Sequence, residues 1–288
     1  NISCLECHDP AKGTGDHLPL SLGQGALVLG NQRFQNKGKI IRRNSPPLFN
    51  LADNFSMFWD GRVFVDPFGE SFITPEKALN GKTPLAWHIV KNLKRALDSQ
   101  VLFPMVSHSE MMGNPLENEI ASASNNIEAW NLIVQRIIKE KKNIVDLLMF
   151  SYGLSKDNEL NIGHVAAALG EFIAYNFQVY NTPYDRYLRG EVSALNEKAK
   201  LGMEIFLNKA RCINCHNGKH LSNFSFQNIG IPNLLENKES ALDYGLFEIN
   251  KREGSEFRFK TPTLRNVGLT APYMHNGIMK NLEEVVEH

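Results

Sequence analysis

All four cysteines of the 288-residue chain lie in two C-x-x-C-H motifs. The first motif is C-L-E-C-H at 4–8 and the second is C-I-N-C-H at 212–216. In such a motif the two thiols can add to the two vinyl groups of one haem, and the histidine then becomes the proximal ligand of its iron. The motifs therefore predict two covalent c-type haems. The residues involved are Cys4, Cys7, His8, Cys212, Cys215 and His216.

Two other kinds of site use similar residues. A structural zinc site would take four cysteines, or two cysteines and two histidines, at other spacings. A redox-active dithiol pair would not need a histidine after the second cysteine in both motifs. Haem attachment is therefore the favoured interpretation, and these two alternatives remain open at this point.

The composition indicates an ordinary globular chain. Hydrophobic residues make up 42% and charged residues 22%, and this length predicts about two domains. Lys+Arg and Asp+Glu both number 31, so the net charge does not suggest a nucleic-acid partner. No apolar run is long enough to span a membrane. The chain begins at Asn1 without a leader, as expected of a processed chain or one that is incomplete at its start.

The apolar pattern predicts a mainly α fold. Thr83 and Pro84 are typical of a helix start, and we expect that helix to run to about Gln100. Apolar residues recur at helical spacing at Ile127, Trp130, Val134 and Ile137, at Val165, Leu169 and Phe172, and at Ala199, Met203, Phe206 and Leu207. These stripes predict three further helices with buried faces.

The C-terminal segment predicts a last helix. Asn281 and Glu284 form a capping pair, and we expect Leu282, Val285 and Val286 to point inward.

Two segments, 9–54 and 217–262, are rich in Gly, Pro and Asn and predict long irregular loops. Such loops suit small cytochromes, in which the haem supplies much of the core. A boundary within 181–194 would divide the chain into a first haem domain, 1–185, and a second, 186–288. No close sequence repeat is evident beyond the two cysteine motifs.

Four further motifs resemble the bacterial di-haem cytochrome c peroxidase and MauG superfamily, in that family's order. They are R-N-S-P-P-L-F-N (43–50), F-W-D-G-R (58–62), T-P-T-L-R-N (261–266) and L-T-A-P-Y-M-H-N-G (269–277). The resemblance implies that the first haem is peroxidatic, with His8 proximal, and that the second transfers electrons, with His216 proximal. It also implies that Trp59 relays charge between them, although a tryptophan is more often a core aromatic.

The resemblance also implies a distal pocket at the first haem. Gln100, Pro104 and Glu110 match the family pattern Q-x-x-x-P-x-x-x-x-x-E. Peroxide must lose a proton from one oxygen and gain one on the leaving oxygen, and a carboxylate beside the iron can move that proton. Glu110 is the candidate for this role, and Gln100 would orient the peroxide. By residue type alone, Glu110 would be a solvated loop acid.

A calcium site between the domains is the third implication. Asn44, with the backbone carbonyls of Thr270 and Pro272, matches the family's ligands, and amide and carbonyl oxygens suit a hard cation. The alternative is that Asn44 is a turn residue before two prolines.

The chain departs from the peroxidase pattern in three places. The loop after the first motif has Gln24 where those enzymes carry a blocking histidine, with His17 nearer the motif. The distal ligand of the second haem is expected just past His288, where methionine marks peroxidases and tyrosine marks MauG-like enzymes. The long segment 63–99 and the run 102–113 resemble the MbnH-like branch, which oxidises a tryptophan of a partner protein.

The expected function is a peroxide-using oxidoreductase of the periplasm or outer cell surface, because c-type haem is attached outside the cytoplasm. Its reductant would be a small cytochrome c, a cupredoxin, or a tryptophan of a partner protein. A non-enzymatic electron-transfer cytochrome is the alternative. The remaining histidines, His88, His108, His164, His220 and His275, are expected to be structural or exposed. Four methionines are weaker candidates for the second haem: Met111, Met112, Met274 and Met279.

Overall fold

The computed structural model describes residues 3–29, 32–35, 38–66, 68, 71–234 and 242–288. These residues are mainly helical with few strands, as predicted. The α-helices are α1 (Trp87–Val90), α2 (Ala96–Gln100), α3 (Leu102–Met105), α4 (Asn126–Glu140), α5 (Lys142–Tyr152), α6 (Ile162–Asn176), α7 (Pro183–Leu188), α8 (Glu197–Leu207), α9 (Phe247–Asn250) and α10 (Leu282–Glu287). None of these helices is both long and apolar enough to cross a membrane.

The strands form three small antiparallel sheets in the described residues. One joins β1 (Leu27–Leu29) to β2 (Gln32–Phe34), the second has the order β3 (Ser56–Met57), β4 (Val63–Val65), β5 (Phe72–Ile73), and the third joins β6 (Phe226–Gln227) to β7 (Phe259–Lys260). The strands are short, and Met57, Val63 and Phe72 of the second sheet belong to the hydrophobic core. The predicted loop segments 9–54 and 217–262 contain no long helix in their described parts.

The hydrophobic core lies where α2, α4 and α6 meet in the first two thirds of the chain. Trp130 of α4 is fully buried, and its Nε1 donates to the Leu102 carbonyl at 3.0 Å. This bond satisfies the indole N–H, which burial would otherwise leave unpaired. It also fixes α3, which lies between the two predicted distal residues.

The helix predicted from Thr83 to about Gln100 is wrong in extent. The structure has two short helices there, α1 and α2, separated by a turn at 91–95. The buried carboxylate of Asp98 accepts the backbone N–H groups of Lys94 and Arg95, at 2.9 and 3.1 Å. Arg95 is the N-cap residue and Asp98 the third residue of α2, so these bonds belong to the start of a new helix and not to a continuation of α1.

Other helix predictions are confirmed in part. Trp130 and Val134 lie on the buried face of α4, as predicted. In α6 the buried face carries Gly170 and the alanines on either side of it along the helix, whereas the predicted Phe172 is 56% exposed. Small residues are buried there because α2 approaches α6 closely.

At the C-terminus the side chain of Asn281 accepts the Glu284 N–H, which confirms the capping pair. Val286 is nevertheless 85% exposed, so its predicted inward orientation is wrong. The predicted boundary at 185 stays a prediction. Helix α7, Pro183–Leu188, runs through it.

We expect Gly170→Ala to destabilise the protein. A Cβ at Gly170 would lie 2.1 Å from the Asp98 carboxylate oxygen, so α2 would have to move, at about 1–3 kcal/mol for such overpacking. Gly202→Ala in α8 is the matched control, because a Cβ there meets nothing within 4 Å. It should be neutral or stabilising by up to about 1 kcal/mol. Urea unfolding of the two variants tests this, and equal stabilities would contradict it.

Candidate functional site

The two C-x-x-C-H motifs have the same local structure. Each forms one 3₁₀ turn, over Cys4–Glu6 in the first and Cys212–Asn214 in the second. In both, the histidine N–H donates to the carbonyl of the first cysteine at 2.9 Å. This turn places the two thiols and the imidazole on one short loop, as attachment to a single haem requires.

Both motif histidines are oriented for binding a metal through Nε2. His8 Nδ1 lies 3.1 Å from the Thr14 carbonyl, and His216 Nδ1 lies 3.0 Å from the Leu221 carbonyl. A carbonyl can only accept, so Nδ1 must carry the hydrogen, and Nε2 keeps the lone pair. Burial lowers the pKa of both histidines and favours the neutral, ligating form. The four cysteines are free thiols. The residues present therefore fit two c-type haems.

Arg33 holds the first motif in place. Its Nη1 donates to the Glu6 carbonyl at 2.8 Å and lies 2.7 Å from the Cys7 Sγ, while its Nη2 donates to the Leu22 carbonyl. Burial is the main reason why the pKa of Cys7 rises to about 11, and Arg33 opposes the rise. Sequence analysis did not identify Arg33, because its partners lie 11 to 27 residues away in the chain.

The structure reveals a second repeat that sequence analysis missed. The segments S-P-P-L-F-N (45–50) and T-P-T-L-R-N (261–266) share the pattern S/T-P-x-L-x-N. Their last residues, Asn50 and Asn266, both have left-handed backbones, with φ of 57° and 56°. The carbonyls of Pro46 and Pro262 act as hydrogen-bond partners of the two motif histidines. Aligning the residues that follow each cysteine motif would have shown this signal.

Trp59 is hydrogen-bonded to the segments that lead into both repeats. Its Nε1 donates to the Asn44 carbonyl at 3.0 Å, and its own carbonyl accepts the Lys260 N–H at 2.8 Å. Asn44 precedes Ser45, whose Oγ donates to the Cys7 carbonyl at 2.9 Å. Lys260 precedes the second repeat directly. The predicted relay residue therefore lies between the two haem-binding segments.

A buried group of charges fixes the backbone around Trp59. Arg43 donates to Asp243 through two nitrogens, at 2.6 and 2.7 Å, and to Asp60, which follows Trp59 in the chain. Burial opposes ionisation of both carboxyls, but Arg62 and Arg43 hold the pKa of Asp60 below its ordinary value, and Arg43 does the same for Asp243. This group connects the two halves of the chain.

The structure brings Glu110 beside the first motif only. The Pro104 carbonyl accepts the Met111 N–H at 3.3 Å, which closes the loop that presents Glu110. The Glu110 carboxylate is one of the smaller causes that raise the pKa of Cys7, so it lies near that thiol. At the second motif, the pKa of His216 is affected by burial and by the carbonyls of Leu221 and Pro262, and none of these causes is an acid.

Gln24 contacts the loop that carries Glu110, whereas no hydrogen bond among the described residues joins Gln100 to that loop. Gln100 is half-buried at the end of α2. The Gln24 N–H donates to the Glu110 carbonyl at 2.8 Å. In the part of the chain that the structure describes, the side chains of Glu110 and Gln100 form no hydrogen bond, so both can bind a ligand.

The expected calcium ligands lie on two loops that meet. The Asn44 N–H donates to the His275 carbonyl at 2.7 Å, which brings Asn44 to the loop that contains Thr270 and Pro272. Asn44 Nδ2 donates to the Leu18 carbonyl at 2.8 Å, leaving its amide oxygen without a hydrogen bond among the described residues. Those residues contain no group of three or more His, Cys, Asp or Glu side chains suited to a metal. A cation here would rely on amide and carbonyl oxygens.

The remaining histidines have structural contacts, apart from the exposed His88. His275 stacks on Phe259 with ring centroids 3.5 Å apart, His108 Nδ1 donates to the Gly113 carbonyl at 2.7 Å, and His164 is buried near the start of α6. His220 packs at a tilt against Phe224. Of the candidate methionines, Met112 and Met279 are buried.

Comparisons with known proteins identify the family of the chain. A family model described as "Di-haem cytochrome c peroxidase" matches residues 1–193. The cytochrome-c peroxidase IdrP2 of Pseudomonas sp. (strain SCT) is 27% identical over 99% of this chain and 67% of its own length. The methylamine utilization protein MauG of Methylorubrum extorquens is 26% identical over 100% of this chain and 63% of its own length. The chain thus spans about two thirds of these relatives.

A solved structure shares the fold. The crystal structure of a MauG-like protein associated with microbial copper homeostasis superposes with a TM-score of 0.68. The two sequences are 23% identical, and the superposition covers 99% of this chain and 69% of the MauG-like protein. At this identity the likeness concerns the fold alone.

We expect His275 to make stability depend on pH. Burial lowers its pKa from 6.5 to about 4, so the unfolded state takes up a proton first as the pH falls. The free energy of unfolding is therefore unaffected by this histidine above about pH 6.5 and falls as the pH drops from 6.5 towards 4. The loss amounts to about 3 kcal/mol, at ~1.4 kcal/mol per pKa unit.

Urea unfolding between pH 4.5 and 7 tests this expectation. His275→Gln should be less stable at pH 7 but should show a flatter dependence on pH. His88→Gln, at an exposed position, should keep the wild-type slope. An unchanged slope in His275→Gln would assign the dependence to other groups.

Proposed function

This chain belongs to the di-haem cytochrome c peroxidase family, and we propose that it is an oxidoreductase that uses hydrogen peroxide as its oxidant. The observation that carries the proposal is the half-buried Glu110 carboxylate, which lies beside the first C-x-x-C-H motif and has no hydrogen-bond partner among the described residues. An electron-transfer cytochrome would have no use for an unpaired acid at one of two otherwise similar sites.

Glu110 is the proton-moving group in this proposal. Reduction of hydrogen peroxide to two waters consumes two electrons and two protons, and bound haem supplies the iron that accepts peroxide and delivers the electrons. The Glu110 carboxylate takes a proton from the oxygen nearer the iron and returns it to the leaving oxygen. Its backbone is fixed for this task by the bond from Gln24 and by the turn closed on Pro104.

Gln100 orients peroxide in the same pocket. Its amide has donors and an acceptor, and none is engaged by another described residue, so both ends of a peroxide can hydrogen-bond to it. Gln24 occupies the position at which a blocking histidine is expected in classical peroxidases. An amide is a poor ligand for haem iron compared with an imidazole, so the first site rests open to peroxide in this proposal.

Trp59 carries charge between the two haem sites. Its indole contacts the backbone before the first repeat and its carbonyl contacts the backbone before the second. A rigid aromatic ring in this position is suited to accept and pass on one electron at a time. Two one-electron steps through Trp59 then match the two electrons that peroxide requires.

The reductant is a small redox protein, a cytochrome c or a cupredoxin, and the location is the periplasm or the outer cell surface. The test is peroxide-dependent oxidation of a reduced small cytochrome by the haem-loaded protein. A non-enzymatic electron-transfer cytochrome would exchange electrons with the donor but would not consume peroxide.

A second candidate function is oxidation of a tryptophan on a partner protein. The MauG relative and the long segment 63–99 favour it, and so does the open first site implied by Gln24. Because charge leaves the buried haems through Trp59, the substrate need only dock near the second haem.

A calcium ion would hold the two halves in register. Its ligands would be the Asn44 amide oxygen and the carbonyls of Thr270 and Pro272, and oxygen donors of this type suit calcium. Since the Asn44 carbonyl also accepts the Trp59 indole N–H, the ion would stabilise the relay as well.

Glu110→Gln should keep both haems and the fold but lose about 10²–10⁴-fold in peroxide turnover, the usual contribution of a general acid–base. The substitution removes the proton-moving group with little change in size. Steady-state peroxide consumption measures this loss, and the haem spectrum checks loading. If Glu110→Gln turns over normally while His108→Gln does not, the role belongs to His108.

Calcium removal should lower turnover, because the contact between the two loops that position Trp59 would be less stable. Exhaustive chelation and Asn44→Ala should have similar effects, and added calcium should rescue the chelated protein but not the variant. Asn143→Ala, at an exposed position of α5, is the control. Full activity after both treatments would show that the site is absent or idle.

For the second candidate, enzyme, peroxide and the protein encoded beside it are mixed, and the partner is examined by mass spectrometry. Oxidation of one specific tryptophan is expected, and Trp59→Phe should abolish it while retaining both haems. Rapid oxidation of a reduced cytochrome with no modified partner residue would favour the plain peroxidase.

A further inference from the structure

Asp16 is a buried carboxylate that the proposed mechanism does not use. It is 3% exposed. Its Oδ1 accepts the Leu18 N–H at 3.0 Å, and its Oδ2 has no hydrogen-bond partner among the described residues. A buried carboxylate oxygen without a partner is costly unless positive charge lies nearby. This position therefore suggests a function for the charge.

The loop around Asp16 is held firmly against the first motif. Thr14, two residues earlier, accepts the His8 Nδ1 hydrogen through its carbonyl and the Leu48 N–H through its Oγ1, at 2.8 Å. A Cβ at Gly13 would lie 2.1 Å from the Leu269 carbonyl oxygen. The backbone of this loop therefore cannot move away from the first motif without breaking these contacts.

The charge of Asp16 reaches the first haem-binding residues. The Gly15 carbonyl, one residue before Asp16, accepts the N–H of Asp9, the residue after His8, at 3.1 Å. The carboxylate therefore lies on a loop that is paired with the first motif, and its charge opposes the effect of burial on the pKa of His8. At the second motif only burial and the carbonyls of Leu221 and Pro262 act on His216. Within the described residues, the two sites thus share their histidine geometry but differ in this buried negative charge.

We propose that the negative charge of Asp16 acts on the first haem through space. It stabilises the oxidised state of that haem and lowers its reduction potential relative to that of the second haem. The attraction is mutual, because a bound iron supplies the positive charge that the buried carboxylate lacks. A site that must give electrons to peroxide benefits from such a charge, whereas a site that collects them from a donor does not. This inference rests on the proposed function only for its biological purpose.

The test is a redox titration of the haem-loaded protein, followed by visible absorption, with no peroxide and no donor protein. Asp16→Asn should shift the potential of the first haem to more positive values and leave that of the second unchanged. Asp16→Glu, which keeps the charge, should restore most of the wild-type value. Asp16→Ser serves as a second neutral variant if Asp16→Asn loads poorly.

Asp9→Asn is the matched control. It removes one negative charge from the residue next to His8, but Asp9 is only half-buried, and its Oδ1 accepts the Ala11 N–H in a bond that is exposed to solvent. Solvent screens that charge, so a much smaller shift is expected. The proposal would be overturned if the potential of the first haem did not change in the neutral variants, or if the potentials of both haems shifted equally. It would also be overturned if Asp16→Glu shifted the first potential as much as Asp16→Asn does. Because no turnover is measured, failure of the peroxidase proposal would leave this result interpretable.

Discussion

The rest of the site depends on the ion pairs that the buried guanidinium of Arg43 forms. The guanidinium must be neutralised away from solvent, and it is neutralised by Asp60 from the first half and Asp243 from the second. Removing one partner of a buried ion pair typically costs about 3–5 kcal/mol, so the two halves are strongly constrained to this arrangement. Asp60 follows Trp59 and Arg43 precedes Asn44, so the same constraint positions the indole and its acceptor.

Two similar halves therefore meet across one tryptophan. Each half places a histidine on a 3₁₀ turn and fixes its tautomer with a backbone carbonyl. In each half, the proline carbonyl of the S/T-P-x-L-x-N segment also lies beside that histidine. In the proposed function the two sites differ because Glu110 on one loop and Asp16 on another lie near the first motif.

The helical core supports that asymmetry. Helix α2 ends at Gln100 and is oriented by Asp98, whose carboxylate lies over Gly170 of α6. Helix α3 follows at once and is fixed to α4 by the Trp130 indole. The loop that carries Glu110 begins there, so the distal side chains are positioned by packed helices. In the second half, helix α8 contacts the 3₁₀ turn of the second motif directly.

The sequence alone determined the features that depend on local spacing. These are the two haem-attachment turns, helix α4 and the Asn281 cap, because thioether attachment, helical periodicity and capping involve residues a few positions apart. The resemblance added Trp59, Gln100 and Glu110 as candidates. Only the tertiary structure decided which face of α6 is buried, where the segment 83–100 breaks, and that Asp16 and Arg33 lie at the first motif. Those outcomes depend on contacts between residues far apart in the chain, and no local pattern encodes whether a carboxylate will be buried with or without a partner.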